Sequence, residues 1–257
     1  MAKTIVSLSF DDGREDTARI AYPIMKKYNL PATIHITTGF VDGSWREHNW
    51  KSCDTPMSVD DLLMLVNEGF ELSLHGDKHK TDPDDFSTSK QKFSSWGIDV
   101  TKLGFSVPNS ELSGEDKAKF VDFLKNNDVK YMRVGRNTSC YTLASKMCYV
   151  MYRLFRFQWA YNLFNRHNLN KSPDLFDLNT VVVRNTDRAD SIIRFINKNK
   201  SDCRIILMLH SVLTKGDSKY DADAWCWDAE QFEALCRYLR QAVDDGRLEV
   251  ETIINQC

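Results

Sequence analysis

The sequence predicts an α/β fold, a distorted (β/α)7-8 barrel, on three observations. Short apolar runs rich in β-branched residues alternate with helix-periodic segments almost from end to end. Such alternation implies parallel strands joined by right-handed crossovers. Seven or eight such units favour closing the sheet over leaving it open. At 257 residues the chain is long enough for one large domain. No repeat, low-complexity tract or linker divides residues 1–257, so a single domain is expected.

The predicted strands are Thr4–Phe10, Ala32–Thr37, Phe70–Leu74, Gly104–Val107, Lys130–Val134, Thr180–Arg184, Arg204–Leu209 and Leu248–Thr252. Between most of them lie helical patterns. Asp16–Tyr28 places Ile20, Ile24 and Tyr28 on one face, with a kink expected at Pro23. Ser58–Glu68 opens with Ser58 and Asp61 at capping-box spacing. Glu115–Asn126 presents Ala118, Val121 and Leu124, and Ala189–Asn199 presents Ile192, Ile193 and Ile196. Asp228–Asp244 carries Phe232, Leu235, Cys236 and Leu239 and closes at Gly246.

One segment breaks the rhythm. Residues 139–173 form an aromatic-rich insertion with Tyr141, Tyr149, Tyr152, Phe155, Phe157, Trp159, Tyr161 and Phe164, punctuated by Lys146, Arg153, Arg156 and Arg166. It reads as one or two helices, packed on the barrel wall in the favoured reading. A lid, a homo-oligomer face and a helix lying on a membrane surface are the competing readings.

Composition excludes several classes. Hydrophobic residues are 42% and charged residues 27%, ordinary for a globular protein. A net charge of -2 gives no electrostatic case for nucleic acid or an anionic membrane. Seven cysteines, an odd number with no Cys-x-x-Cys pair, argue against a disulfide framework and for a reducing compartment. No apolar window is long enough to span a membrane, and the first strand starts too early to leave room for a signal peptide, so a cytoplasmic location is expected.

Chemistry concentrates where predicted strands end. Asp11-Asp12-Gly13 follows the first strand. Past a strand end the alternation of side chains lapses, so both acids can reach one pocket. Two carboxylates there repel unless a cation sits between them. His75 and His79 follow the third predicted strand, four residues apart, a spacing that can aim two imidazoles at one ion. One carboxylate and two histidines suit Zn²⁺ or a similar divalent ion, leaving room for water and substrate. His210 closes the apolar run Ile205–Leu209 on the same rim and suits proton transfer.

Together these motifs resemble the NodB-homology polysaccharide deacetylases, carbohydrate esterase family 4. Ser9-Phe10-Asp11-Asp12-Gly13 is similar to their first motif, His75-x-x-x-His79 to their second and Leu207-x-Leu209-His210 to their last. The resemblance covers the whole chain apart from the insertion. It implies metal-dependent removal of an N-acetyl group from a sugar or sugar precursor. Asp11 would be the base, Asp12, His75 and His79 the metal ligands and His210 the acid. Leu207 and Leu209 would shape a slot for the acetyl methyl, with Pro108 nearby.

The chain departs from the family at three places. Gly76 stands where the second motif has a hydroxyl residue. Ser106 stands where the third motif has an arginine that positions the base, and Arg133 or Arg136 is the candidate substitute cation. The acid that orients the last histidine has no clear counterpart; Asp187 and Asp190 lie in the right region but read more plainly as helix N-terminal charges. Two other functions compete with a deacetylase: a ureide-type amide hydrolase on the same scaffold, and a non-catalytic carbohydrate binder. Trp45, Trp50, Trp225 and Trp227 lie in predicted loops, lining a sugar site or packing on the rim. His35, His48 and His167 are expected outside the site.

Overall fold

The computed structural model describes residues 3–110, 112–135, 142–171, 174–199 and 202–256. Along the chain run β1 (Thr4–Phe10), α1 (Tyr22–Lys27), β2 (Thr33–Ile36), α2 (Thr38–Val41), α3 (Val59–Asn67), β3 (Glu71–Leu74), α4 (Pro83–Ser95), β4 (Gly104–Ser106) and α5 (Gly114–Asn126). There follow β5 (Tyr131–Arg133), α6 (Leu143–Phe155), α7 (Gln158–Asn165), β6 (Thr180–Val182), α8 (Ala189–Lys198) and β7 (Arg204–Leu209). The chain ends with β8 (Ser211–Leu213), β9 (Cys226–Asp228), α9 (Ala229–Asp244) and β10 (Leu248–Val250).

The main sheet is parallel, in the order β5-β4-β3-β2-β1-β7-β6, with β10 on the first half of β1. Its two ends meet. Arg133 bridges Leu178 in parallel, and the N–H groups of Met132 and Val134 donate to Leu175 and Leu178 carbonyls at 2.9 and 2.8 Å. The result is a nearly closed (β/α)7 barrel, with β1 between β2 and β7. Because every crossover runs the same way, all strand C-termini open on one rim, where Asp11, Asp12, His75 and His210 gather.

Helices cover the outside, α8 and α9 largely through the faces that periodicity predicts, whereas α5 buries Phe120 and Leu124 and leaves Ala118 exposed. α8 buries Ile192, Phe195 and Ile196, and α9 buries Phe232, Leu235, Cys236 and Leu239. Truncating one such leucine to alanine costs about 2–5 kcal/mol, because the cavity cannot fully collapse. Ser58 and Asp61 form the expected capping box. The five described cysteines are free, as their count suggests.

Three local outcomes differ from expectation. The first helix is not uniformly α-helical: Thr17–Ala21 form a π turn, in which Tyr22 N–H reaches back to Thr17 O, before α1 begins. Pro23 then falls at the start of α1, where its missing N–H is harmless. α4 escaped the sequence reading because its surface is Ser- and Lys-rich; its core contacts are Phe86 and Phe93, two turns apart. β8 and β9 pair as a separate two-stranded sheet too short for a periodic signal.

The insertion forms α6 and α7, which pack on each other, and α7 on α8 outside the barrel. Tyr141 lies outside the described residues. No helix is long and apolar enough to cross a membrane among the described residues.

Candidate metal centre

β1 delivers both acids to one place by a backbone device. Asp12 has φ 77° and Gly13 φ 82°, so two consecutive residues take the left-handed conformation just past the strand. For a non-glycine this is a costly state, the kind kept at functional sites. Asp11 and Asp12 are both buried as a result.

β3 delivers the histidines through the loop 75–79. His75 Nδ1 lies 2.9 Å from the Ser106 carbonyl. A carbonyl only accepts, so Nδ1 carries the proton and Nε2 keeps a lone pair. Asp85, from α4, accepts from the N–H groups of Asp77 and Lys78 at 2.8 Å each and of Lys80 at 3.2 Å. Gly76, at φ 82°, leaves space for this carboxylate: a Cβ there would sit 2.3 Å from Asp85 Oδ2. From the other side Thr38 Oγ1 donates to Asp77 at 2.8 Å.

The three ligand atoms converge. Asp12 Oδ1 lies 3.6 Å from His75 Nε2 and 3.7 Å from His79 Nε2, and the two Nε2 atoms are 3.1 Å apart. Asp12 Oδ1 is buried and has no hydrogen-bond partner among the described residues. Burial pushes His75 and His79 down to about 4, so both are neutral near pH 7. The lone pair on His75 Nε2, the unpartnered carboxylate oxygen and His79 Nε2 face one point, a donor set that a cation would draw together. The residues therefore fit a divalent ion.

Arg14 sets the carboxylate. Buried, it grips Asp12 Oδ2 through Nε at 2.9 Å and Nη2 at 2.8 Å, while Nη1 donates to Ser52 and Ser211. Burial alone would raise the Asp12 pKa, but Arg14, His210, His79 and His75 outweigh it and hold the carboxyl well below the usual range. Oδ2 is thus occupied and Oδ1 is presented to the histidines.

Asp11 has its own cation. Arg133 Nη2 donates both to Asp11 Oδ1 and to Ser106 Oγ. The other oxygen, Oδ2, lies 4.0 Å from His75 Nε2. His35 is fully buried 3.5 Å from Asp11 Oδ1, and burial keeps its pKa well below 6.5. Tyr131 O–H lies 2.5 Å from Glu71 and His35 Nε2 lies 3.1 Å from the same hydroxyl. A network of buried polar groups thus runs from beside Asp11 into the barrel.

His210 completes the group. Its ring packs against Trp225, with centroids 4.6 Å apart, and its Nδ1 is buried without a partner among the described residues. Burial holds its pKa at about 4. A cavity of about 190 Å³ is lined by Asp11, Asp12, His75, His79 and His210, with Trp50, Trp225, Val107, Asn109 and Met208 among its walls.

Residues 1–100 match the family model described as polysaccharide deacetylase. Over those residues, less than half of its length, the chain is similar to polysaccharide deacetylases. No curated protein matches it by sequence. Among solved structures it is similar to the Xyl-CE4 domain of a multidomain xylanase from the hindgut metagenome of Trinervitermes trinervoides, at 12% identity and TM-score 0.52, covering 99% of this chain and 91% of that one. It is also similar to a family 4 carbohydrate esterase from Streptomyces lividans in complex with acetate, at 13% identity and TM-score 0.52, covering 96% and 91%. A third, a mutant family 4 pseudoenzyme with restored enzymatic activity, has 14% identity and TM-score 0.51, covering 98% and 66%. At these identities the likeness is one of fold.

The structure brings Asp11, Asp12, His75, His79 and His210 to a single cavity, and places Arg133 directly behind Asp11. Leu207 and Leu209 are not in the cavity. They alternate outward from β7 into the core, and Met208 and His210 take the inward positions. Pro108 is likewise buried beside the cavity, with Val107 and Asn109 as the lining residues. Arg136 lies outside the described residues. Neither candidate acid serves His210: Asp187 Oδ2 accepts from Arg184 N–H, and Asp190 pairs with Arg188 and Arg194 on the surface. The tryptophans divide. Trp50 and Trp225 line the cavity, Trp45 stacks on His79 at 6.0 Å, and Trp227 is core. Arg14, Asp85 and His35 are the residues that sequence reading missed. Only Arg14, a charge adjacent to the acids, left a usable signal.

Proposed function

We propose that this protein is a metal-dependent hydrolase that removes the acetyl group from an N-acetylated sugar or sugar precursor. The observation that carries the reading is the unpartnered Asp12 Oδ1 facing the Nε2 atoms of His75 and His79 beside a second, independently held carboxylate. Asp12, His75 and His79 would hold the ion, and this nitrogen-rich set with one oxygen suits Zn²⁺. Bound there, a divalent ion supplies Lewis acidity for a water nucleophile and for the acyl carbonyl.

Asp11 takes the proton from the attacking water. Arg133 fixes its Oδ1, which leaves Oδ2 as the basic atom toward the cavity. His210 faces the same cavity and gives a proton to the departing nitrogen. It is neutral at rest, so it is first charged by the proton that Asp11 has drawn from the water. Trp50 and Trp225 offer apolar faces to a sugar ring.

The unpartnered His210 Nδ1 favours a second reading, an O-acetyl ester, because an alcohol leaves with less protonation than an amine. Acetate release from N-acetylated and O-acetylated sugars, with a ureide in the same panel, tests both. Release from N-acetylated substrates that stops with chelator is expected; release from O-acetyl substrates alone selects the second reading. Release from none, with metal bound, leaves a binder.

A further inference from the structure

We propose that α6 and α7 dock this protein on the surface of an anionic lipid bilayer. α6 buries Cys148 and Tyr152 against the protein yet presents a second apolar stripe to solvent: Leu143, Met147, Val150 and Leu154, spaced four, three and four residues apart. A helix apolar on both sides needs a second cover. The stripe does not stop at the helix end. Phe155, Phe157 and Trp159 stack in sequence, with centroids 5.5 and 6.1 Å apart, and carry the patch onto α7. Leu154 is 68% exposed and Trp159 54%, far beyond scattered surface apolar residues.

Charge selects the occupant. From Thr142 to Pro173 the sequence holds five lysines and arginines and no acid, a basic stretch in a chain whose net charge is -2. Lys146, Arg153, Arg156 and Arg166 are all exposed, and none is ion-paired among the described residues. A second copy across a two-fold axis would set this basic face against itself. An anionic membrane surface satisfies both features, with aromatic and aliphatic side chains at the headgroup boundary and cations among lipid phosphates. α6 is about 20 Å long, too short to span a hydrocarbon core of about 30 Å, so the helices lie on the surface. α6 also reaches the cavity wall, from its partly buried side. Tyr149 of α6 accepts from Arg184 at 2.9 Å, and Arg184 stacks on Trp225.

Flotation with phosphatidylcholine vesicles, with and without phosphatidylglycerol, tests the proposal independently of any chemistry in the cavity. The protein should float with the phosphatidylglycerol vesicles and little with the others, and salt should release it. Trp159→Glu with Leu154→Glu should abolish flotation. Lys146→Glu with Arg166→Glu, which leaves the apolar stripe intact, should weaken binding roughly 30-fold, about five-fold for each cation. Failure to float, flotation indifferent to lipid charge, or a concentration-dependent dimer abolished by the same substitutions would each overturn it.

Discussion

Ser106 and Arg133 are register partners across β4 and β5, and Arg133 reaches over the serine to hold Asp11. The small side chain at 106 makes the room that the guanidinium fills. Both residues are buried, so the contact is screened little by solvent. The cation missing from one strand is supplied by the next.

Arg133→Met should therefore lower kcat by roughly 100-fold, as expected when a base is misplaced by an ångström. The double exchange Ser106→Arg with Arg133→Ser should recover part of the loss. Steady-state acetate release measures both; an unchanged kcat in Arg133→Met would remove the arginine from the account.

Gly76→Ser restores the hydroxyl residue of the family motif, yet it should damage this protein. The new Cβ meets Asp85 Oδ2 at 2.3 Å and Lys80 O at 2.9 Å, in a left-handed conformation. A loss of about 2 kcal/mol in urea unfolding is expected, together with weakened metal binding. Full stability and affinity in the variant would show that the loop can be steadied either way.

Arg14→Gln breaks a buried ion pair, which costs about 3–5 kcal/mol because Asp12 is left uncompensated. A divalent ion can take over part of that compensation. Added Zn²⁺ should thus raise the melting temperature of the variant more than that of the wild type, read by thermal unfolding with and without metal. An equal rise in both would separate Arg14 from the metal centre.

Acid should weaken the metal-free fold in a defined window. His75, His79 and His210 are each held at about 4, against an ordinary value of 6.5. Between those values the unfolded chain binds protons that the folded chain refuses. Stability is therefore complete above about pH 6.5 and falls as pH drops toward 4. Urea midpoints across that range measure it, and a flat profile would contradict the burial of these rings as neutral groups.

Much of this was legible in the sequence, for physical reasons. Buried parallel strands read as continuous apolar runs, and the Asp11-Asp12 and His75/His79 pairs sit where strands end, so the barrel and its rim followed from pattern. What failed was orientation and long-range contact. Leu207 and Leu209 could be assigned to the cavity only by motif likeness, whereas strand alternation gives that place to Met208. Asp85 holds a loop five to eight residues away through backbone N–H groups that no side-chain pattern encodes. Ser106 looked like a lost function until the neighbouring strand placed Arg133 beside it.

Equilibrium dialysis against Zn²⁺ is the most direct test of the central claim, that Asp12, His75 and His79 share a single ion. Wild-type protein should retain about one ion per chain, and Asp12→Asn, His75→Ala and His79→Ala should each lose it while Asp11→Asn keeps it. Retention unchanged in all three ligand variants, or no retention by the wild type, would contradict the account.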